Sequence, residues 1–336
     1  MRALRFHPTG PAQALPEGDW PTSPGGEVWI DLEREELAGG DARGALDGWL
    51  GGLHPLTGAM LSRSAPTHLA TAQQGYVHVR LQALRAPFPA PVRGRVRGQD
   101  NRGPQRERLP KGTLDVVAGP GFALTVRPCG LEIWDDLWRA YGHDPQRRAP
   151  TVDFALYHAL AVLVERYRRA GAALTDQAED VDQRLVRLSE RRILAEVVRV
   201  RRHAMDLRDV LAPAHDGLQL LARGPDGPVR SENQPYFEDL RREAADVLGS
   251  IDGARDAMGE AVEAYTAVQS TQMNRVMQLF TVLAVVIAPP MLIASIYGMN
   301  FSIPEYQWRH GYSFALGLMF SLMFGGYLYV RWRRWL

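Results

Sequence analysis

The sequence predicts an α+β cytosolic domain, a mixed sheet with helices, joined by one long stalk helix to two transmembrane helices. Three observations predict it. Strand-like and helical stretches alternate through the N-terminal third, apolar residues then recur at three- and four-residue intervals, and two long uncharged runs follow near the C-terminal end. The 336 residues divide into an N-terminal cytosolic α/β domain (1–150), a cytosolic helical hairpin (151–234), the stalk (235–275) and a first span (276–298). A loop outside the membrane (299–310), a second span (311–330) and a basic cytosolic tail (331–336) complete the chain.

In the first of these segments, EVWIDLE (27–33), GYVHVRLQAL (75–84), TLDVVAG (113–119) and FALTVRP (122–128) carry the β-branched and aromatic content of strands. Helical spacing occupies 42–51 and 131–141, so a mixed α/β layer structure is expected. Residues 86–112 are rich in Pro, Gly and Arg and read as a long, mobile excursion between two strands. Arginine density there invites a nucleic-acid reading. No recognition motif or base-stacking aromatic accompanies it, so a solvated hairpin tip is expected and no nucleic-acid partner.

Residues 151–223 have the pattern of two long helices folded back on each other. The first ends in an acidic patch, Asp176, Glu179, Asp180 and Asp182; the second is basic, with Arg191, Arg192, Arg199, Arg201, Arg202 and Arg208. Faces of opposite sign imply ion pairing between the helices, and the acidic patch can also gather cations.

The stalk carries Leu240, Ala244, Val247, Ile251, Ala254, Met258, Ala261, Tyr265 and Val268 at alternating intervals of four and three. That repeat matches helices winding around copies of themselves. The alternative is one amphipathic helix packed on its own domain. The many small seam residues and the direct run into a membrane span favour a symmetric oligomer.

Residues 277–297 and 311–330 carry no charge, and each run is long enough to cross a hydrocarbon core as a helix. Pro289 and Pro290 suggest a kink in the first. Arg275 precedes the first span and Arg331, Arg333 and Arg334 follow the second, which places both termini in the cytosol and the connection outside. Trp332 and Trp335 suit the inner interface, Tyr297 and Tyr312 the outer. Membrane lipid is therefore an expected partner, and the plasma (inner) membrane the expected location.

Composition excludes several classes. A net charge of +1 nominates no partner. The single cysteine, Cys129, excludes a disulfide framework within one chain and any Cys-based zinc cluster, and fits a reducing compartment. The first twenty residues lack an apolar core segment, so no secretory signal is expected. No GxxxxGK[ST] loop supports an ATP-driven pump, and no GxSxG, HExxH or CxxC supports hydrolytic or redox catalysis, so no enzyme is expected. His54, His68 and His78 are scattered among nine histidines and become ligands only if folding gathers them.

What remains distinctive is the outer end of the first span: Tyr297-Gly298-Met299-Asn300, then Phe301-Ser302-Ile303-Pro304-Glu305. Gly298-Met299-Asn300 in this position resembles the motif of the CorA magnesium/cobalt transporters. WIDLE (29–33), LHPL (53–56), LTVRP (124–128), MNRVMQLFTVLAVVIAPP (273–290), IPE (303–305), Trp308, Gly311-Tyr312 and the RWRRWL end resemble that family's landmarks in order. The resemblance implies a funnel-shaped homopentamer with first spans lining the pore and second spans outside them. It implies passive, gated entry of hydrated Mg²⁺, with Co²⁺ and Ni²⁺ as lesser substrates and no resident cofactor. The zinc-transporter branch, with Zn²⁺ as cargo, shares the fold; the Pro304-Glu305 pair favours magnesium. A membrane-anchored coiled-coil scaffold or signalling protein is the other reading, and it leaves the polar loop at Asn300 unexplained.

On this resemblance Gly298, Met299 and Asn300 form the selectivity filter, with Gly298 permitting a tight chain reversal and Glu305 an outer acidic ring. Continuing the stalk seam inward predicts a pore face of Asn274, Met277, Phe280, Ala284, Ala288, Met291 and Ser295. Asn274 would be a polar ring at the cytosolic mouth, and Met277 and Phe280 a constriction that gates by dewetting. The chain departs from the family at Met291, where a threonine is typical, and at Ala288, where a methionine is. The loop after Asn300 is one residue shorter and lacks its first acidic residue. Asp239 matches one half of the family's regulatory metal site, but Arg85-Ala86-Pro87 stands where the other half belongs. Regulation is therefore expected from other acidic positions, Glu179, Asp180 and Asp182.

Overall fold

The computed structural model describes residues 2–7, 12–16, 26–38, 53–61, 69–73, 75–88, 109–143, 151–187, 191–223, 227–300 and 303–333. They form two compact units, Met1–Ala261 and Val262–Leu336.

The first unit is built on one sheet. Its strands are β1 (Arg2–Arg5), β2 (Gln13–Leu15), β3 (Val28–Glu33), β4 (Leu69–Gln73), β5 (Tyr76–Leu84), β6 (Lys111–Gly119) and β7 (Phe122–Arg127). They lie in the order β2-β1-β3-β7-β6-β5-β4. β3 and β7 run parallel and the other neighbours antiparallel, so the sheet is mixed. The β6–β7 hairpin reverses at Pro120-Gly121, where Gly121 takes φ +77 in the left-handed region that only glycine enters freely. Leu84 pairs with Lys111, so the segment between β5 and β6 leaves and rejoins the sheet at one place. Residues 89–108 of that Arg-rich segment, the helix expected over 42–51 and His68 lie outside the described residues.

β3, β5, β6 and β7 occupy the four stretches with strand-like composition. β1, β2 and β4, reading RALR, QAL and LATAQ, were not expected, because they hold almost no β-branched or aromatic residues. Two short helices, α1 (Arg34–Ala38) and α2 (Pro55–Leu61), accompany the sheet. The helix expected over 131–141 is α3 (Glu132–His143), whose Trp134 and Trp138 rings stand edge-on to Trp29 of β3 at 6.2 and 5.1 Å.

Two buried carboxylates organise the sheet. Asp31 accepts hydrogen bonds from Thr125 Oγ1 (2.6 Å), Arg127 Nε (3.0 Å) and Trp134 Nε1 (3.1 Å), which ties β3 to β7 and α3. Asp115 accepts from His78 Nε2 (2.9 Å), Arg80 Nε (2.7 Å) and Arg34. His78 thus belongs to a buried ionic cluster. Buried charges survive only when paired in this way.

Helices α4 (Val152–Arg187) and α5 (Arg191–Leu221) form an antiparallel hairpin, with Arg184 of one reaching Glu196 of the other at 2.7 Å. Gly217 brings the α5 backbone directly onto Val79 of β5. The long helix α6 (Gln234–Tyr297) follows.

The start of α6 corrects the sequence reading. Leu240, Ala244, Val247, Ile251, Ala254, Met258 and Ala261 are each at most 6% exposed within this single chain. They face the hairpin: a Cβ on Gly171 of α4 would lie 3.0 Å from Val247 Cγ1, Tyr157 packs on Phe237 at 6.1 Å, and Arg208 of α5 pairs with Asp252 at 2.9 Å. Up to Ala261 the apolar stripe is therefore the helix's attachment to its own domain, the alternative that the sequence reading ranked second. A 3.5-residue spacing defines a narrow apolar face and does not say which helix covers it. Val268, further along the same stripe, is 48% exposed.

Candidate functional site

The second unit holds the end of α6 and the helix α7 (Gly311–Trp332). Both α6 and α7 are long and apolar enough to cross a membrane. Helix α6 runs unbroken through Pro289 and Pro290. Each proline lacks an N–H, so the carbonyls of Val285 and Val286 have no donor four residues on. Gly326 of α7 stands beside this turn. A Cβ on Gly326 would lie 3.9 Å from Val286 Cα and 4.0 Å from the Val285 carbonyl oxygen.

Contact with α7 gives α6 two distinct faces. Val282 is buried, and Val286, Pro289, Ile293 and Tyr297 are half-buried, a stripe at helical spacing on the α7 side. Asn274, Met277, Phe280, Ala284, Ala288, Met291 and Ser295 are all exposed. At 3.6 residues per turn their mean direction lies about 180° from that stripe. Met277, Phe280 and Met291 are 58%, 64% and 68% exposed, as are Leu279 (52%), Leu283 (54%) and Leu292 (64%) on other sides of the helix, which lipid or a neighbouring copy can cover.

The last turn of α6 closes without a reversal at Gly298. Its N–H donates to the carbonyls of Ala294 (3.0 Å) and Ser295 (3.2 Å), and Met299 N–H donates to Ile296 (3.2 Å). Gly298 is not among the positive-φ glycines, so the chain reversal expected there does not draw on a left-handed glycine backbone. What its missing side chain spares is the Ala294 carbonyl, 3.3 Å from a would-be Cβ. Met299 and Asn300 are exposed beyond the helix end.

The return limb is a 3₁₀ turn, Pro304–Gln307. Trp308 N–H donates to the Glu305 carbonyl at 3.2 Å, Gly311 N–H to Trp308 at 3.1 Å, and the Trp308 ring meets Phe314 edge-on at 6.0 Å. Glu305 is half-buried. Its Oε2 is enclosed without a hydrogen-bond partner among the described residues and lies beside a cavity of about 530 Å³ lined by Tyr297, Gly298, Gly311, Tyr312 and Ala315. One carboxylate oxygen thus turns into the crevice between the helix ends instead of outward.

The acidic candidates of the first unit are not gathered. Asp239 is exposed and stands 3.4 Å from Arg242, near the Tyr157 end of α4, while Asp180 lies 3.4 Å from Arg184 and Glu179 and Asp182 are exposed. Roughly 30 Å of α4 separates the two groups at 1.5 Å per residue. Among the described residues no cluster of three or more His, Cys, Asp or Glu is placed to hold a metal ion. Arg85 donates to the Cys129 carbonyl at 2.8 Å, which fixes the end of β5 to the turn after β7.

The sequence reading missed Gly326, whose signal was a Gly-Gly pair inside a bulky apolar run, and the packing role of Gly311. The family model for CorA-like Mg²⁺ transporter proteins matches residues 95–334. The cobalt/magnesium transport protein CorA of Thermotoga maritima is 26% identical over 190 residues, 56% of this chain and 54% of that protein, so the chain spans about half of that relative's length. The magnesium transport protein CorA of Haemophilus ducreyi is 47% identical over 66 residues, 19% of this chain and 21% of that one. The solved CorA magnesium transporter of Methanocaldococcus jannaschii superposes with a TM-score of 0.72 at 18% identity, covering 98% of this chain and 96% of that one. With more than two thirds of its length matched, the chain belongs to the CorA-like Mg²⁺ transporter family.

Proposed function

We propose that the protein conducts Mg²⁺, with Co²⁺ and Ni²⁺ as lesser cargo, through a pore enclosed by several copies of α6. The observation that carries this reading is the two-faced membrane end of α6. From Val282 onward one face is covered by α7, and the opposite face presents Ala284, Ala288, Met291 and Ser295, in line with Asn274, Met277 and Phe280, all exposed among the described residues. A symmetric ring of copies, a homopentamer on the family's pattern, covers that face and encloses an axis. Both termini then lie in the cytosol, since Arg275, Arg331 and Arg333 flank the helices on one side.

Mg²⁺ gives up its waters reluctantly, so a ring of neutral oxygens that contacts the hydration shell avoids the cost of stripping it. Asn300, exposed just past the last turn of α6, supplies such an oxygen from each copy. Met277 and Phe280 form the dry constriction. The membrane potential drives entry, at about 2.3 kcal/mol per charge per 100 mV and therefore about twice that for a divalent ion.

The test is uptake by proteoliposomes offered Mg²⁺, Co²⁺ and Zn²⁺ in parallel. Wild type takes up Mg²⁺, and Asn300→Ala abolishes uptake while the oligomer persists. Undiminished uptake by an assembled Asn300→Ala variant refutes the filter assignment, and Zn²⁺ uptake without Mg²⁺ moves the protein to the zinc branch.

A further inference from the structure

The return limb of the outer loop rests on a residue with no side chain. A Cβ placed on Gly311 would overlap the Glu305 carbonyl oxygen and lie 3.1 Å from the Glu305 carbonyl carbon and 3.6 Å from Trp308 Cβ. The obstacle is backbone, so no rotamer change relieves it. The Glu305 carbonyl also accepts the Trp308 N–H at 3.2 Å within the turn, and Gly311 N–H donates to Trp308 at 3.1 Å, so one hydrogen bond and one close approach join the turn to the first residue of α7. Gly311 has no positive φ and is buried, so close approach and not backbone freedom is what glycine supplies here. Pro304 stiffens the same limb at its start.

Only four residues separate Asn300 from Glu305. Gly298, two residues before Asn300, lines the same crevice as Glu305 and Gly311, so the seat of the Glu305 carbonyl borders the filter end of α6 directly. We infer that Gly311 is a positioning residue for the filter: the bare Cα seats the Glu305 carbonyl on the head of α7 and thereby sets where Asn300 stands. The inference rests on the filter role proposed for Asn300.

Helix α7 contains its own controls. A Cβ at Gly317 or Gly325 would meet nothing within 4 Å. The same substitution there raises helix propensity equally without touching the loop.

The experiment measures Mg²⁺ uptake against external Mg²⁺ in proteoliposomes of full-length wild type, Gly311→Ala, Gly317→Ala and Gly325→Ala, with oligomeric state checked by size exclusion. Gly311→Ala raises the KM for Mg²⁺ at least tenfold and shifts the Mg²⁺/Co²⁺ preference at least threefold, while both controls stay within twofold of wild type. Trp308→Ala loosens the same seat without adding bulk. It reproduces the KM rise and keeps the inference testable should Gly311→Ala fail to assemble. An assembled Gly311→Ala or Trp308→Ala variant with wild-type KM and preference overturns the inference. If wild type carries no Mg²⁺, or Asn300→Ala conducts normally, the filter reading itself has failed. Loss of Asn300→Ala uptake beside an unaltered Gly311→Ala removes only the positioning role.

Discussion

Gly326 of α7 lies against Val286 of α6, the residue whose carbonyl Pro290 leaves without a donor. The adjacent Val285 carbonyl, freed in the same way by Pro289, is 4.0 Å from where a Cβ on Gly326 would sit. Proline in one membrane helix and glycine in the other are thus two halves of one contact, in which small residues let backbones approach closely. A methyl at 326 makes ordinary van der Waals contact, so Gly326→Ala leaves thermal stability in detergent nearly unchanged. Gly326→Leu forces the helices apart and costs about 1–3 kcal/mol. A Gly326→Leu variant as stable as wild type would show that the pair is held elsewhere.

Phe280 is 64% exposed on the side of α6 away from α7, one turn from Met277. In a ring of copies the two side chains form a narrow apolar collar, which resists the passage of a hydrated ion by dewetting. Phe280→Gly removes the collar's widest member and raises flux, with the largest increase at high internal Mg²⁺. Uptake equal to wild type at every internal Mg²⁺ concentration would place the constriction at another level.

The stretches with strand-like composition and the two membrane-length helices were legible because period, length and charge reveal them directly. β1 and β4 were not, since RALR and LATAQ become strands through their neighbours β3 and β5 and not through their own composition. The stalk shows a deeper limit. Val247 and Ile251 have the spacing of a coiled-coil seam, yet Gly171 of the same chain fills the groove between them. Spacing identifies an apolar face but not its partner. The pore face was extrapolated from that seam, so its assignment stays a proposal that the exposure of Asn274, Met277 and Phe280 is compatible with. The contacts at Gly311 and Gly326 were invisible for a related reason: a glycine records only that something stands close, and what stands close is remote in sequence.

In the sheet, burial alone would raise the Asp115 carboxyl, but hydrogen bonds from His78 and Arg80, the Arg80 charge and Arg34 outweigh it, and its pKa is lowered. A folded pKa below the unfolded one contributes stability above the unfolded value of about 4, and the contribution is lost as pH falls through the folded value. Asp115→Asn leaves Arg34 and Arg80 facing a neutral amide and destabilises the domain at pH 7 by about 3–5 kcal/mol. Its urea midpoint also falls less than that of wild type between pH 5 and pH 3. An equal acid response in the two proteins would assign the acid limb to other carboxylates.

Asp239 provides the test of regulation. It is exposed, stands 3.4 Å from Arg242, and lies roughly 30 Å along α4 from Glu179, Asp180 and Asp182. Mg²⁺ takes one or two carboxylates together with waters, and a neighbouring guanidinium opposes it through an unfavourable charge at short range. Arg85, where the family's second carboxylate is expected, is engaged with Cys129 and supplies no anionic oxygen. A divalent ion at Asp239 therefore finds a carboxylate already shared with Arg242, while Glu243 one turn on stands 3.7 Å from Arg168. Asp239→Ala shifts the midpoint of inhibition by internal Mg²⁺ less than twofold, whereas neutralising Glu179, Asp180 and Asp182 together shifts it more. The measurement is uptake against internal Mg²⁺ for wild type and both variants. A large shift in Asp239→Ala alone would mean that another copy of the chain brings a second carboxylate to Asp239.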